Sequence, residues 1–363
     1  MLGARIKLAR KKAGLSLRGL ADALDRKVTA QAIGKYERGE MLPSSGVLIA
    51  LSKALGVSLS YLMDTQGIAL TGVDFRTKAN TTARDRAQVE TEVIEWIERY
   101  LQVERILDLD STQWESPFEH PRRLEAVQEA EGLADEVRDK WQLGRDPIPN
   151  MTELLEEKGL KVLTVALPPR VSGFTCIVKH TDGKPGLPVV VVNDQHPLER
   201  RRLTLAHELA HRVIDASNLA KQEEKAATIF GGAFLMPRDH LVREVGDRRQ
   251  ALGYKELIDI KRLYRVSGAA LLVRLRDIGI ISEPTLVYAF QSVAHGWRTA
   301  EPEELERQRG QRERARRFER LCYRALAEGL ISLIKAAELL RRPIAEVEAG
   351  LKGPRQAHAD HRQ

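Results

Sequence analysis

The segment RRRLTLAHELAHRVID contains the residues of this chain best suited to chemistry, namely His207, Glu208 and His211. Two histidines four positions apart on a helix lie about 40° apart around its axis, so both imidazoles can reach one ion. The carboxylate after the first histidine can hold a water bound to that ion and act as a general base. This pattern is typical of a zinc-dependent peptidase, with one Zn²⁺ per chain and Mn²⁺ as the alternative ion.

A catalytic zinc ion needs a third protein ligand and one open position. The next acidic residues along the chain are Glu223 and Glu224, about a dozen positions after His211. A turn and a following helix can return either carboxylate to the ion, so the residues alone leave the choice open. The alternative interpretation of the pair is a solvated helix start, where acidic side chains favour the helix dipole.

A peptidase also needs a group that stabilises the oxyanion of its transition state. No spacing in the sequence identifies that group. His240 is a candidate, and the alternative for it is a structural or solvent-exposed histidine.

An α+β layout is expected around the motif helix. Residues 149–168 predict a helix and then the strand KVLTVAL, and two more strands follow as FTCIVK and PVVVVN. Helices resume near Pro197, and the motif helix is largely apolar, as a buried active-site helix should be. By analogy with other sheets, one strand, at the sheet edge, can hold an extended substrate peptide by strand addition.

The first sixth of the chain is basic and helical. Residues 1–64 hold 11 Lys and Arg against 5 Asp and Glu, within a chain of net charge +7, which suits a polyanionic partner. Five short helices are expected over residues 2–63. Glycines and serines mark their ends, at Gly14, Gly39 and Gly56 and at Ser16, Ser45 and Ser58.

Two of these helices have a helix-turn-helix layout. The first has an apolar face that ends at Leu24, and the turn Asp25–Val28 follows. The second presents Ile33 inward. Its outward residues are expected to be Ala30, Gln31, Gly34 and Lys35.

Residues 2–63 resemble the XRE (Cro/CI-type) DNA-binding family, through the stretches LADALD, AIGKYERG and LIALSKALGVSLSYLM. The resemblance implies that Gln31 and Lys35 contact base edges and that Thr29 meets a phosphate. Glutamine suits adenine and lysine suits guanine in the major groove. Further candidate phosphate contacts are Arg18, Arg26, Lys27 and Arg38. The alternative is a helical interaction module that has lost DNA binding.

Residues from about 150 to 300 resemble the ImmA/IrrE family of zincin-like metallopeptidases. The matching stretches are RRRLTLAHELAH, EKAATIFGGAFLMP, YRVSGAALLVRLRDIGIIS and GWRTAEP. Alignment of the family pattern on Leu235–Pro237 places its third metal ligand at Glu224. The chain departs from that pattern at Thr228, where asparagine is usual, and at Gly231–Gly232, where two alanines are usual.

The sequence therefore predicts a multidomain, mainly α protein with an α+β zincin-like domain. Its predicted parts are a helix-turn-helix domain at 1–64, a linker and helical connector at 65–148, a metallopeptidase domain at 149–300 (core 149–237, helical part 238–300), and a helical C-terminal region with a disordered tail at 301–363. Within them, helices are expected from Arg84 to about Asp108, over Pro121–Trp141, and as a solvated helix over Glu303–Arg320.

The expected location is the cytoplasm, with no membrane partner. No run approaches the roughly 18 apolar residues of a membrane span, and the N-terminus lacks the apolar segment of a signal peptide. The two cysteines, Cys176 and Cys322, are far apart and are expected to be reduced.

The leading hypothesis is a DNA-binding regulator, functioning as a homodimer, that cleaves a repressor or antitoxin-like protein. Its partners are then a double-stranded DNA operator and that protein substrate. One alternative is a transcription factor whose zinc-binding domain acts as a sensor or scaffold without proteolysis. Another is a toxin-antitoxin component.

Overall fold

A computed structural model describes residues 2–57, 59–63, 68–71, 83–109, 114–180, 186–219, 222–306 and 313–353. Its helices, in chain order, are α1 (Leu2–Lys12), α2 (Leu17–Ala23), α3 (Ala30–Arg38), α4 (Ser45–Leu55), α5 (Leu59–Met63), α6 (Ala83–Ile106), α7 (Glu129–Lys140), α8 (Met151–Glu157), α9 (Leu198–Val213), α10 (Glu223–Leu235), α11 (Arg238–Val245), α12 (Tyr254–Tyr264), α13 (Gly268–Asp277), α14 (Glu283–Gln291), α15 (Arg317–Ala327), α16 (Leu333–Leu340) and α17 (Ile344–Lys352). Its strands are β1 (Ile68–Thr71), β2 (Arg122–Arg123), β3 (Lys161–Val165), β4 (Gly173–His180), β5 (Leu187–Asn193) and β6 (Ile214–Asp215).

The described residues fall into two units. The first comprises Met1–Ile68, Ala87–Gln113 and Arg316–Gln363, and the second comprises Ala69–Arg86 and Trp114–Ala315. Among the described residues, no helix is long and apolar enough to cross a bilayer.

Helices α1 to α5 are the five helices predicted near the N-terminus, and their ends follow from local hydrogen bonding. Side chains of Ser16, Thr29 and Ser44 accept hydrogen bonds from backbone amides of the first turns of α2, α3 and α4. Gly39 and Gly56 close α3 and α4 in the left-handed conformation, with φ of 75° and 62°. Helix α4 begins at Ser45, as predicted, and the residue that caps it is Ser44. The predicted start at Ser58 lies outside the described residues.

Helix α6 is the helix predicted from Arg84 to about Asp108, and helices α15 to α17 pack against its C-terminal part. Tyr100 and Val103 of α6 share a core with Phe318 and Cys322 of α15. The rings of Tyr100 and Phe318 stack with centroids 5.5 Å apart, and Trp96 packs 5.3 Å from Phe318. The N-terminal helices, α6 and the C-terminal helices therefore belong to the same unit although they are distant in sequence.

A four-stranded sheet in the order β1-β4-β5-β3 lies at the centre of the second unit. Strand β5 pairs parallel with β3 and antiparallel with β4, in a register that places Phe174 opposite Val191. All three predicted strands are present. Strand β1 lies in the range 65–148, which the sequence predicted as a linker and helical connector.

Two helix predictions were wrong in part. Helix α7 begins at Glu129, because Arg122–Arg123 form a strand with Ile214–Asp215 and hydrogen-bond across to it. The predicted solvated helix over Glu303–Arg320 is not continuous: α15 begins only at Arg317, and residues 313–316 have no regular structure. The alternating charges of this stretch suggested an exposed helix, but Glu313 within it is buried.

Candidate metal centre and nucleic-acid interface

Helices α9 and α10 bring together three side chains that can bind a metal ion. The Nε2 atoms of His207 and His211 are 3.3 Å apart. One carboxylate oxygen of Glu224 lies 3.2 Å from Nε2 of His207, and the other lies 3.6 Å from Nε2 of His211. These donors all lie within 4.8 Å of one another. The sequence-predicted ligand set is therefore assembled at one point.

The spacing of these donors fits a tetrahedral zinc ion. Ligand atoms about 2.0–2.1 Å from such an ion lie about 3.3–3.4 Å from each other. The two Nε2 atoms are 3.3 Å apart, close to that value. Each Nε2 atom also has one oxygen of the Glu224 carboxylate at 3.2 or 3.6 Å, a different oxygen for each histidine. Burial, together with the nearby His207, lowers the pKa of His211 and favours the neutral imidazole that binds metal.

Glu223 orients one of the histidines. Its Oε1 lies 3.1 Å from Nδ1 of His211, on the side of the ring opposite to the three converging donors. A carboxylate in this place fixes the tautomer that leaves Nε2 free for a metal ion. From the sequence, Glu223 was either the third metal ligand or a solvated acidic residue at a helix start. Its position next to Glu224 was the only sequence signal for the contact with His211.

Glu208 is buried beside the ligands, with 7% of its surface exposed. Burial raises the pKa of its carboxyl to about 7, while the nearby His207 acts in the opposite direction. The backbone of Thr175 on strand β4 lies beside this carboxylate and also acts to lower its pKa. A carboxyl with a pKa near neutrality can both accept and release a proton, as a general base requires.

Gly231 allows helix α10 to approach the first histidine closely. A Cβ atom at this position would lie 3.2 Å from the backbone nitrogen of His207. Gly232 has more room, since its nearest neighbour would be the Cδ of Arg274 at 3.8 Å. Thr228 is exposed and its hydroxyl donates to the carbonyl of Glu224, 2.8 Å away. Of the three departures from the family pattern, only Gly231 is therefore closely packed beside the ligands.

Buried charges hold the N-terminal half of α9, and the sequence did not reveal them. Arg202 is 1% exposed and donates to Glu313 at 2.5 Å. Glu199 accepts from Lys261 at 3.1 Å, and Lys261 also pairs with Glu301 at 2.6 Å. The available signal was a run of charged residues on a helix that is otherwise apolar.

His240, the oxyanion candidate, has a different partner in the fold. Its Nδ1 lies 2.5 Å from the hydroxyl of Tyr264, and the two rings pack edge to face. This pair joins α11 to α12. The only metal-type cluster among the described residues contains no His240. The oxyanion role stays a prediction, without a contact that supports it.

The candidate DNA-contacting side chains on α2, on α3 and in the turn between them are all exposed. The exposed residues are Arg18, Arg26, Lys27, Thr29, Gln31, Lys35 and Arg38. Ile33 is buried as predicted, but Gly34, expected to face outward, is buried too. Its Cβ position would lie 3.8 Å from Leu17 of α2, because the two helices cross closely there.

Three of these candidates already have partners within the chain. The hydroxyl of Thr29 accepts from the amide of Ala32 at 3.1 Å and caps α3. Arg26 pairs with Asp22 at 3.1 Å, and Arg38 pairs with Glu40 at 2.5 Å. Both ion pairs are exposed, so phosphate groups can replace the carboxylates at little cost.

Two family models match the chain. Residues 6–62 match the model described as helix-turn-helix, and residues 155–276 match the peptidase model described as IrrE N-terminal-like domain. No curated protein matches the chain significantly. The chain therefore joins a helix-turn-helix domain to a peptidase-like domain, and the predicted fold class is confirmed.

Proposed function

We propose that this chain is a DNA-binding transcriptional regulator with a zinc-dependent endopeptidase centre that acts on a specific protein. The observation that carries the proposal is the convergence of His207, His211 and Glu224 at zinc-ligand spacing beside the buried Glu208. A purely structural zinc site closes its fourth position with a protein ligand. Among the described residues only three side chains converge here, which favours a site that keeps one position open.

When bound, zinc supplies a Lewis acid that polarises a carbonyl group and lowers the pKa of a water molecule. Glu208 accepts the proton of the attacking water at its carboxylate and passes it to the leaving nitrogen. Glu223 keeps the His211 ring in the tautomer that binds metal.

The helix-turn-helix domain supplies the second activity. In this proposal Gln31 and Lys35 reach base edges in the major groove, and the surrounding basic residues contact phosphates. Both side chains are exposed on the recognition helix α3. We propose that the protein binds a double-stranded DNA operator as a homodimer and that it acts in the cytoplasm.

The decisive experiment is the variant Glu208→Gln, which keeps the shape of the side chain and removes its basicity. We expect it to bind one zinc ion per chain like the native protein and to trap an uncleaved partner from cell extract for mass spectrometry. The exposed Glu244→Gln is the matched control and should cleave normally. Cleavage of the trapped partner by Glu208→Gln would remove the general-base role.

The same experiment separates the proposal from its main alternative. If native protein with bound zinc captures the partner and releases it intact, the domain acts as a sensor or scaffold and the endopeptidase proposal is wrong.

A further inference from the structure

The stretch that follows the N-terminal helices contributes a strand to the peptidase-like sheet. Strand β1 (Ile68–Thr71) begins five residues after α5 ends at Met63. The sheet order places β1 against β4, so that β4 has β1 on one side and β5 on the other. Without β1, strand β4 would be the edge strand of this sheet.

The hydrogen-bond pattern of β4 shows which of its backbone groups face β1. In an antiparallel pair, alternate residues bond to the partner and the others point away from it. The amide of Asn193 donates to the carbonyl of Ser172 at 2.9 Å, which makes this a bonded pair. In the observed register the backbone groups of Gly173, Thr175 and Ile177 therefore point away from β5. Pro188 stands opposite Ile177. A residue at this non-bonded position donates no amide hydrogen bond to β4, so a proline fits there.

The side of β4 that faces away from β5 is also the side of the candidate general base. Thr175 is one of the outward-pointing residues, and its backbone lies beside the carboxylate of Glu208. Gly173 brings β4 close to helix α9, because a Cβ there would lie 2.6 Å from the side chain of Thr204. Strand β1 pairs with this same side of β4, since β5 occupies the other side.

An edge of this kind is where a peptidase of the proposed function would hold its substrate. Unpaired N–H and C=O groups of an edge strand bind an extended peptide as an additional strand. One strand edge accepts one partner at a time. A chain segment already paired with β4 therefore excludes any other peptide from the same hydrogen bonds.

We propose that β1 is an internal occupant of the substrate edge, so that the segment next to the helix-turn-helix domain competes with the protein substrate for β4. This inference rests on the proposed function, because it assigns that edge to the substrate. It also specifies the substrate class: a segment that binds in extended form through its backbone, as β1 does. Such a tethered segment has an effective concentration of about millimolar, so a substrate must displace it or wait for its release.

The test weakens β1 without touching the metal centre. Neighbouring residues of a strand point their amides to opposite sides, so the double variant Ala69→Pro/Leu70→Pro removes an amide facing β4 whichever residue supplies it. The matched control is Ala69→Val/Leu70→Val, which keeps both amides and favours a strand. The probe is a fluorescein-labelled peptide with the sequence of residues 67–72, GIALTG. Fluorescence anisotropy measures its binding in the presence of a metal chelator.

We expect the proline variant to bind the probe at least tenfold more tightly than the native protein and the valine control. Equal affinity for all three proteins would overturn the proposal. Hydrogen exchange of native protein provides a second measurement should the proline variant misfold. We expect slow exchange at β1 and at the outward amide of Ile177, and rapid exchange at β1 would also overturn the proposal.

The probe-binding result can be told apart from a failure of the proposed peptidase function. Probe binding is measured without metal and does not need hydrolysis, so it can succeed even if Glu208→Gln shows that the centre does not cleave peptides. Conversely, zinc binding and cleavage with equal probe affinities would leave the endopeptidase proposal intact and remove only the role of β1.

Discussion

Two adjacent glutamates at the start of α10 have different predicted effects on zinc affinity. Glu224 places its carboxylate oxygens 3.2 and 3.6 Å from the Nε2 atoms of the two histidines, where a shared ion would lie. Glu223 contacts only Nδ1 of His211, at 3.1 Å. The first is in the position of a ligand and the second in that of a group that orients a ligand.

The expected magnitudes follow from these positions. Loss of a group that orients a metal ligand weakens metal binding by about 10- to 100-fold, which is about 1.4–2.8 kcal/mol. We therefore expect Glu223→Ala to raise the Kd for zinc by about that factor. Glu224→Ala removes a charged donor and should raise Kd by more than about 100-fold, beyond the range for orienting groups.

Competition with a chromophoric zinc chelator at pH 7 measures both values, and circular dichroism confirms that each variant is folded. Glu223→Gln serves as the matched control, since its amide oxygen can still accept from Nδ1–H of His211 and should restore part of the affinity. A larger loss in Glu223→Ala than in Glu224→Ala would refute the ligand assignment. Equal, small losses in both would refute the three-donor centre itself.

Three further predictions concern stability, DNA binding and thiol reactivity. Glu313→Ala leaves the buried Arg202 without its carboxylate and should destabilise the second unit by about 3–5 kcal/mol, measured by denaturant unfolding; an unchanged midpoint would show that the pair is not needed. Lys35→Ala should weaken binding to a selected duplex by about 1–3 kcal/mol and leave random duplex binding unchanged, measured by fluorescence anisotropy, and a uniform loss would indicate a phosphate contact instead. Burial raises the thiol pKa of both Cys176 and Cys322 to about 12, so neither should react with a thiol reagent at pH 8 until the protein unfolds. The same shifts imply that stability falls as pH rises from about 9 towards 12, where the unfolded thiols ionise first; rapid native labelling would contradict the burial.

The sequence alone was sufficient for the features that depend on local spacing. A helical repeat of four positions places His207 and His211 on one face wherever that helix packs, and the serine and glycine caps of α2 to α4 depend on neighbouring residues only. Exposure of Gln31 and Lys35 also follows from the helical period, although the burial of Gly34 depends on how closely α2 crosses α3.

Only the tertiary structure decided which distant groups meet. From the residues alone, either Glu223 or Glu224 could serve as ligand, and their different roles depend on how α10 packs against α9 through Gly231. The charge of Arg202 on α9 had no visible partner in the sequence, yet Arg202 is buried because Glu313 reaches it from more than a hundred residues away. Strand β1 gave no clear periodic signal because a short strand is stabilised by the neighbour with which it pairs, here β4, and not by its own residues.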